Sequence, residues 1–178
     1  GHALIHHVNI SLILQNYDDI FSDFDPRPYH ERALSDDFLV ECRKAMRDKL
    51  MRKNSPEVRL LVPKELRDLG VEASIKRRLH NHFQKHAYEK RLEVRDERRL
   101  GFKLFLGGGI LIMLAGWLQV TFSGGLYASL VVLLEPAGWF TIWNGLEKIF
   151  FEVKRMQPET LFYERMAHVK INFYGYRR

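Results

Sequence analysis

Residues 104–146 read LFLGGGILIMLAGWLQVTF, SGG, LYASLVVLLEPAGWFTIWNGL, and this stretch decides the architecture. As far as Phe122 it carries no charge, and from Leu126 onward it carries one, Glu135. Each apolar run is close to the roughly 20 residues that cross a hydrocarbon core as a helix. Backbone polar groups inside lipid must be satisfied within the segment itself. Two such runs joined by Ser123-Gly124-Gly125 therefore predict an antiparallel transmembrane hairpin, with spans 104–122 and 126–146.

The flanks orient it. Lys85, Lys90, Arg91, Arg95, Arg98, Arg99 and Lys103 lead into the first span, and Lys148, Lys154 and Arg155 follow the second. The turn between the spans has no lysine or arginine. By the positive-inside rule both ends of the chain are expected in the cytoplasm, which makes this a multi-pass protein of the cell (inner) membrane. Arg91, Arg95, Arg98, Arg99 and Lys103 are the expected contacts to lipid headgroups. The formal charge of +6 over 178 residues is thus concentrated beside the membrane, and lipid is a better match for it than nucleic acid. The single cysteine, Cys42, excludes an internal disulfide framework. The first residues show no basic-then-apolar leader.

Outward from the hairpin, three stretches alternate with period two: residues 6–14, with Val8, Ile10, Leu12 and Leu14 on one side; Val58, Leu60 and Val62; and Val169, Ile171 and Phe173. Each predicts a half-buried strand. Ser35, Asp36 and Asp37 open a helix on which Phe38, Leu39, Cys42, Ala45, Met46 and Leu50 recur at helical spacing, and Asn54-Ser55-Pro56 closes it. After Gly70 a long helix carries Ile75, Leu79, Phe83 and Ala87 as one stripe and is expected to run without a break into the first span. Beyond the second span a helix to about Met156 is followed by a restart at Gln157-Pro158. The soluble material on either side of the hairpin is too small to fold separately. The expected fold class is therefore an α+β cytoplasmic domain of about three strands with helices on one face, built from residues 1–103 and 147–178 and interrupted by the hairpin of 104–146.

Glu135 is the sharpest chemical feature, because an ionisable group in mid-membrane costs a few kcal/mol and is expected to face protein. Its face reads Ala128, Val131, Glu135, Gly138, Ile142, and its depth matches Met113 on the first span. Pro136 frees the Val132 carbonyl beside it. Gly107, Gly108, Gly109, Gly116 and Gly138 are the expected helix-packing positions. Burial would favour the neutral acid, hydrogen-bonded to the Trp117 indole or to a second copy of the chain.

Asp18, Asp19, Phe21, Asp23, Phe24, Asp25, Arg27 and Tyr29 form an acidic, aromatic loop suited to docking a protein partner. Its Asp23 and Asp25 have the spacing of calcium ligands, but the glycine and closing glutamate of a calcium loop are missing. His82 and His86, four apart on a helix, are weak metal candidates, and no metal or other cofactor is expected. No nucleophile elbow, phosphate loop, dinucleotide turn or HExxH occurs, so the chain is read as non-enzymatic.

The run ISLILQNYDDIFSDFDPRPYHERALSDDFL, then VRLLVPKELR and a two-span hairpin, resembles a set of small uncharacterised prokaryotic membrane proteins with a YDDIFSDFDPRPY-type motif. The resemblance implies a membrane location and assigns no activity and no residue roles. The expected function is that of a self-associating membrane protein, a homo-oligomer presenting a cytoplasmic protein-interaction domain. The alternative is an oligomeric ion or proton channel using Glu135.

Overall fold

The computed structural model describes residues 9–47 and 57–177. Expectations for residues 6–8, Leu50 and Asn54-Ser55-Pro56 lie outside that range. The elements run β1 (Asn9–Ile13), a single 3-10 turn (Tyr17–Ile20), α1 (Asp36–Arg47), β2 (Glu57–Pro63), a second 3-10 turn (Lys64–Leu66), α2 (Leu69–Thr121), α3 (Gly125–Glu147), a π-helical segment (Lys148–Glu152), α4 (Val153–Ala167) and β3 (Lys170–Tyr176).

The three strands form one parallel sheet in the order β1-β2-β3. Parallel neighbours need a crossover between them. The first crossover is α1, and the second is the whole excursion α2-α3-α4, so the apolar hairpin is inserted into a β-α-β connection. Successive crossovers of the same hand in an unreversed strand order fall on the same side of the sheet. The burial agrees: register aligns Ile10, Val58 and Ile171 in one row and Leu12, Leu60 and Phe173 in the next, all facing the core. On the opposite face Ile13 remains 72% exposed, so among the described residues the helices pack on the other side of the sheet.

Three helices close that side. Phe38, Cys42 and Met46 come from α1, Ile75, Leu79, Phe83 and Ala87 from α2, and Phe162, Tyr163 and Met166 from α4. The four α2 residues are each at most 1% exposed, so the i, i+4 stripe read from the sequence is the face that packs. Burial pushes the Cys42 thiol up to about 12, so it serves as packing and not as a nucleophile at neutral pH.

α2 is unbroken through 53 residues and carries the core stripe at one end and the first apolar span at the other. α2 and the continuous helical run Gly125–Ala167 are both long and apolar enough to cross a membrane. One expectation is corrected here: no helix restarts at Gln157-Pro158, because α4 passes through Pro158. A proline removes one helical N–H, and the neighbouring turn is anchored by the buried Phe162 and Tyr163. The irregularity falls earlier, at Lys148–Glu152, where the helix widens to π geometry. By internal contacts the chain divides into two compact units, Gly1–Tyr88 with Glu159–Arg178, and Glu89–Pro158.

Candidate functional site

The hairpin is held by a seam of small residues seven apart. Gly101, Gly108 and Ala115 on α2 are buried, as are Val131, Gly138 and Gly145 on α3. A seven-residue repeat keeps one helix face on its partner throughout. A Cβ built on Gly108 would lie 2.6 Å from the Gly138 carbonyl oxygen, and one on Gly145 would lie 2.5 Å from that of Gly101. The obstacles are backbone atoms, so only glycine permits this approach. Of the five expected packing glycines, Gly108 and Gly138 lie in the seam, whereas Gly107, Gly109 and Gly116 have open space where a Cβ would stand. Gly101, Ala115, Val131 and Gly145 complete the seam. Their spacing is visible in the sequence, but the consecutive Gly107-Gly108-Gly109 obscures which glycine belongs to the repeat. The turn itself depends on Gly124, whose φ of +131° with extended ψ is accessible to glycine alone.

The seam pairs Gly101 with Gly145 and Gly108 with Gly138, a register that sets Glu135 level with Leu111 and not with Met113, because α3 starts at Gly125 and not at Leu126. Nor is Glu135 enclosed. Within one chain it is exposed, on the flank of the seam, where with Gln119, Phe122, Tyr127 and Val132 it lines a cleft of about 520 Å³ towards the turn. Trp117, expected as a partner for Glu135, instead packs edge-on to Phe122, which stacks on Tyr127 at 4.5 Å. α3 continues through Pro136, and Ser129 and Thr141 donate their hydroxyls to carbonyls one turn back. Such bonds satisfy side-chain polar groups without water, as an apolar surrounding requires.

The acidic, aromatic loop is largely bonded to itself. Asp25 takes a fork from Arg27 (2.7–3.1 Å) and accepts the Ala33 backbone N–H, and these bonds hold its carboxyl well below the ordinary range. Asp18 accepts from Tyr29 and Arg32, and the Tyr29 ring stacks on the buried Phe21 at 4.9 Å. Burial and the Asp18 carboxylate together push the Tyr29 hydroxyl up to about 12. Asp19 accepts the Gln15 backbone N–H. Of the expected docking residues, Phe24 stands out at 97% exposed, beside the exposed Asp23. The loop is thus a rigid mount for one aromatic side chain.

Sequence reasoning missed a buried charge network at the base of this loop. Glu72, only 4% exposed, accepts two bonds from Arg67 (2.9 and 3.1 Å) and one from the Tyr17 hydroxyl (2.8 Å). The same hydroxyl accepts the Asp68 N–H, and Arg67 also donates to the Phe173 carbonyl. Burial pushes the Glu72 carboxyl up, but the guanidinium and the hydroxyl more than offset it and leave it below its ordinary value. The three groups tie the loop after β1, the β2-α2 connection and β3 together. Nothing in their spacing announces this, because Tyr17 and Glu72 are 55 residues apart.

His82 and His86 lie with ring centres 4.3 Å apart, and His86 stacks on Tyr163 at 5.3 Å. Among the described residues no three His, Cys, Asp or Glu side chains come together to hold an ion. The His82 Nε2 is buried without a hydrogen bond. Burial, then the neighbouring His86, Arg78 and Lys85, push its pKa down from 6.5 to about 4. Between these values the unfolded chain binds the extra proton. The contribution is therefore full above pH 6.5 and is lost as the pH falls towards 4, and His82→Gln should flatten that slope. Discounted for partial exposure, the loss is on the order of 2 kcal/mol, readable in denaturation midpoints measured across this range.

The expected headgroup contacts Arg91, Arg95, Arg98, Arg99 and Lys103 are all exposed on α2. No protein-family model, curated protein or solved structure matches the chain.

Proposed function

We propose that the chain is a non-enzymatic integral protein of a prokaryotic inner membrane, with both ends cytoplasmic, that self-associates through its hairpin and presents the α+β unit to a cytoplasmic partner. The observation carrying this reading is the exposure of Glu135 within a single chain. An ionisable side chain facing lipid at this depth costs a few kcal/mol, and a second copy covering it removes that cost. Gly109 and Gly116, whose Cβ positions are open, leave room for another helix to approach α2 closely. On the cytoplasmic side the rigidly mounted Phe24 is the anchor, since a fixed aromatic loses little freedom on binding.

Light scattering coupled to size exclusion, corrected for bound detergent, tests the reading. A mass of two or more whole chains is expected, and a monomer overturns it. Glu135→Gln should keep that mass, because the amide still donates and accepts.

A second reading, conduction by a ring of copies, is favoured by the cleft that Glu135 shares with Gln119. It requires flux in liposomes that Glu135→Gln alters while the assembly stays intact. No flux in the wild type removes it.

A further inference from the structure

Most of the charges between residues 90 and 103 are sorted around α2, the exposed Asp96 at the edge of the basic arc being the exception. On the side flanking the hairpin seam, acids and lysines satisfy one another: Glu93 pairs with Lys90 at 3.2 Å, and Lys148 reaches both Glu97 at 3.4 Å and Glu152 at 3.3 Å. The other side is different. Among the described residues Arg95, Arg98, Arg99 and Lys103 have no carboxylate partner, and all four are exposed. At 3.6 residues per turn they occupy an arc of about 140° on α2. Phe102 lies within that arc, 52% exposed, and the apolar span begins one residue beyond it, after Lys103.

An arc of three guanidinium groups and an ammonium around an exposed aromatic ring, at the edge of a membrane span, matches one ligand chemistry. Guanidinium forks bind phosphate oxygens in pairs. The ring and the apolar residues beyond it suit acyl chains. We propose that Arg95, Arg98, Arg99 and Lys103 form a binding site for the headgroup of an anionic phospholipid, with Phe102 against its acyl chains. Zwitterionic lipids carry the same phosphate, but their own ammonium offsets the attraction, so the site discriminates by net charge. The unpaired state of the four cations favours this over charge balance within the chain: Glu93 and Glu97 are engaged on the other side of the helix, and Asp96, exposed beside the arc, forms no ion pair with any of the four among the described residues.

The inference rests on the membrane reading of the hairpin, and the two can fail separately. Flotation of the full chain with liposomes tests insertion. Native mass spectrometry of the detergent-solubilised protein, offered equal phosphatidylglycerol and phosphatidylcholine, tests the site. Wild type should retain phosphatidylglycerol about tenfold or more over phosphatidylcholine, and R95Q/R98Q/R99Q/K103Q should retain the two nearly equally. Equal retention by the wild type, or an undiminished preference in a variant of unchanged helix content, overturns the proposal. So does complete displacement of the lipid by millimolar inorganic phosphate, which would make free phosphate the ligand. Should the glutamine variant fail to insert, R95K/R98K/R99K keeps the charge that orients the chain while removing the forks. It should weaken the preference several-fold, and an unchanged preference there also overturns the proposal.

Discussion

Gly145→Val is expected to separate the two hairpin helices and to lower the stability of the hairpin by about 3 kcal/mol, at the upper end of what overpacking costs. The new Cβ would stand 2.5 Å from the Gly101 carbonyl oxygen and 2.7 Å from the Phe105 amide nitrogen. Neither atom can turn aside as a side-chain tip can, so α2 and α3 must move apart along the seam. That movement also weakens the contacts around Gly108 and Gly138, because one register serves all the pairs. With the hairpin in lipid, as proposed, no hydrophobic effect compensates, since helix pairs there are held by close packing itself. The measurement is the unfolding midpoint of the detergent-solubilised protein followed by tryptophan fluorescence. All three tryptophans, Trp117, Trp139 and Trp143, lie in the hairpin, so this signal reports on it specifically. Gly107→Val is the control: nothing lies within 4 Å of its Cβ position, and its midpoint should be nearly that of the wild type. If Gly145→Val left the midpoint unchanged, the seam would not be what holds the hairpin.

Glu72→Ala is expected to be strongly destabilising in the α+β unit, costing about 1 to 3 kcal/mol, the cost of lost charge-assisted hydrogen bonds. It leaves Arg67 without its counterion, and it removes the acceptor of the Tyr17 hydroxyl, which in turn positions the Asp68 N–H. A unit with a three-stranded sheet has little stability in reserve, so such a loss is a large share of it. Tryptophan fluorescence is blind to this unit, and hydrogen exchange of the β1, β2 and β3 amides is the suitable readout. Replacing Arg67 and Glu72 together with apolar residues of similar size should be milder than removing Arg67 alone, because the buried Glu72 carboxylate is then not left unpaired. The pH dependence has a definite sign. The folded carboxyl titrates below its ordinary value of 4.5, so its stabilisation is present above that pH and is lost as the pH falls through the lower folded value. This window lies below that of His82, and the two can be separated in the same experiment.

Local periodicity was enough to determine the two apolar spans, the α2 stripe of Ile75, Leu79, Phe83 and Ala87, and the three alternating strands with one covered face. The stripe and the strands repeat within a few residues, so their period alone states which side is buried, whereas the spans are legible by length and apolar composition alone. The same holds for the positive charge beside the spans. What the tertiary structure decided depends on pairing between distant segments. Gly101, Gly108, Gly138 and Gly145 differ from Gly107, Gly109 and Gly116 only in which side of a helix meets its partner, and that follows from the register of the hairpin. The depth and exposure of Glu135 follow from the same register. The acids of the N-terminal loop look like a docking surface in sequence because their partners are not neighbours of the simple kind: Arg32 reaches Asp18 across 14 positions, and the Ala33 amide reaches Asp25 across eight. Arg67 and Glu72 are close in the chain, yet the bonds that hold the exposed guanidinium on the buried carboxylate include Tyr17 and the Phe173 carbonyl, which only the closed parallel sheet brings to them.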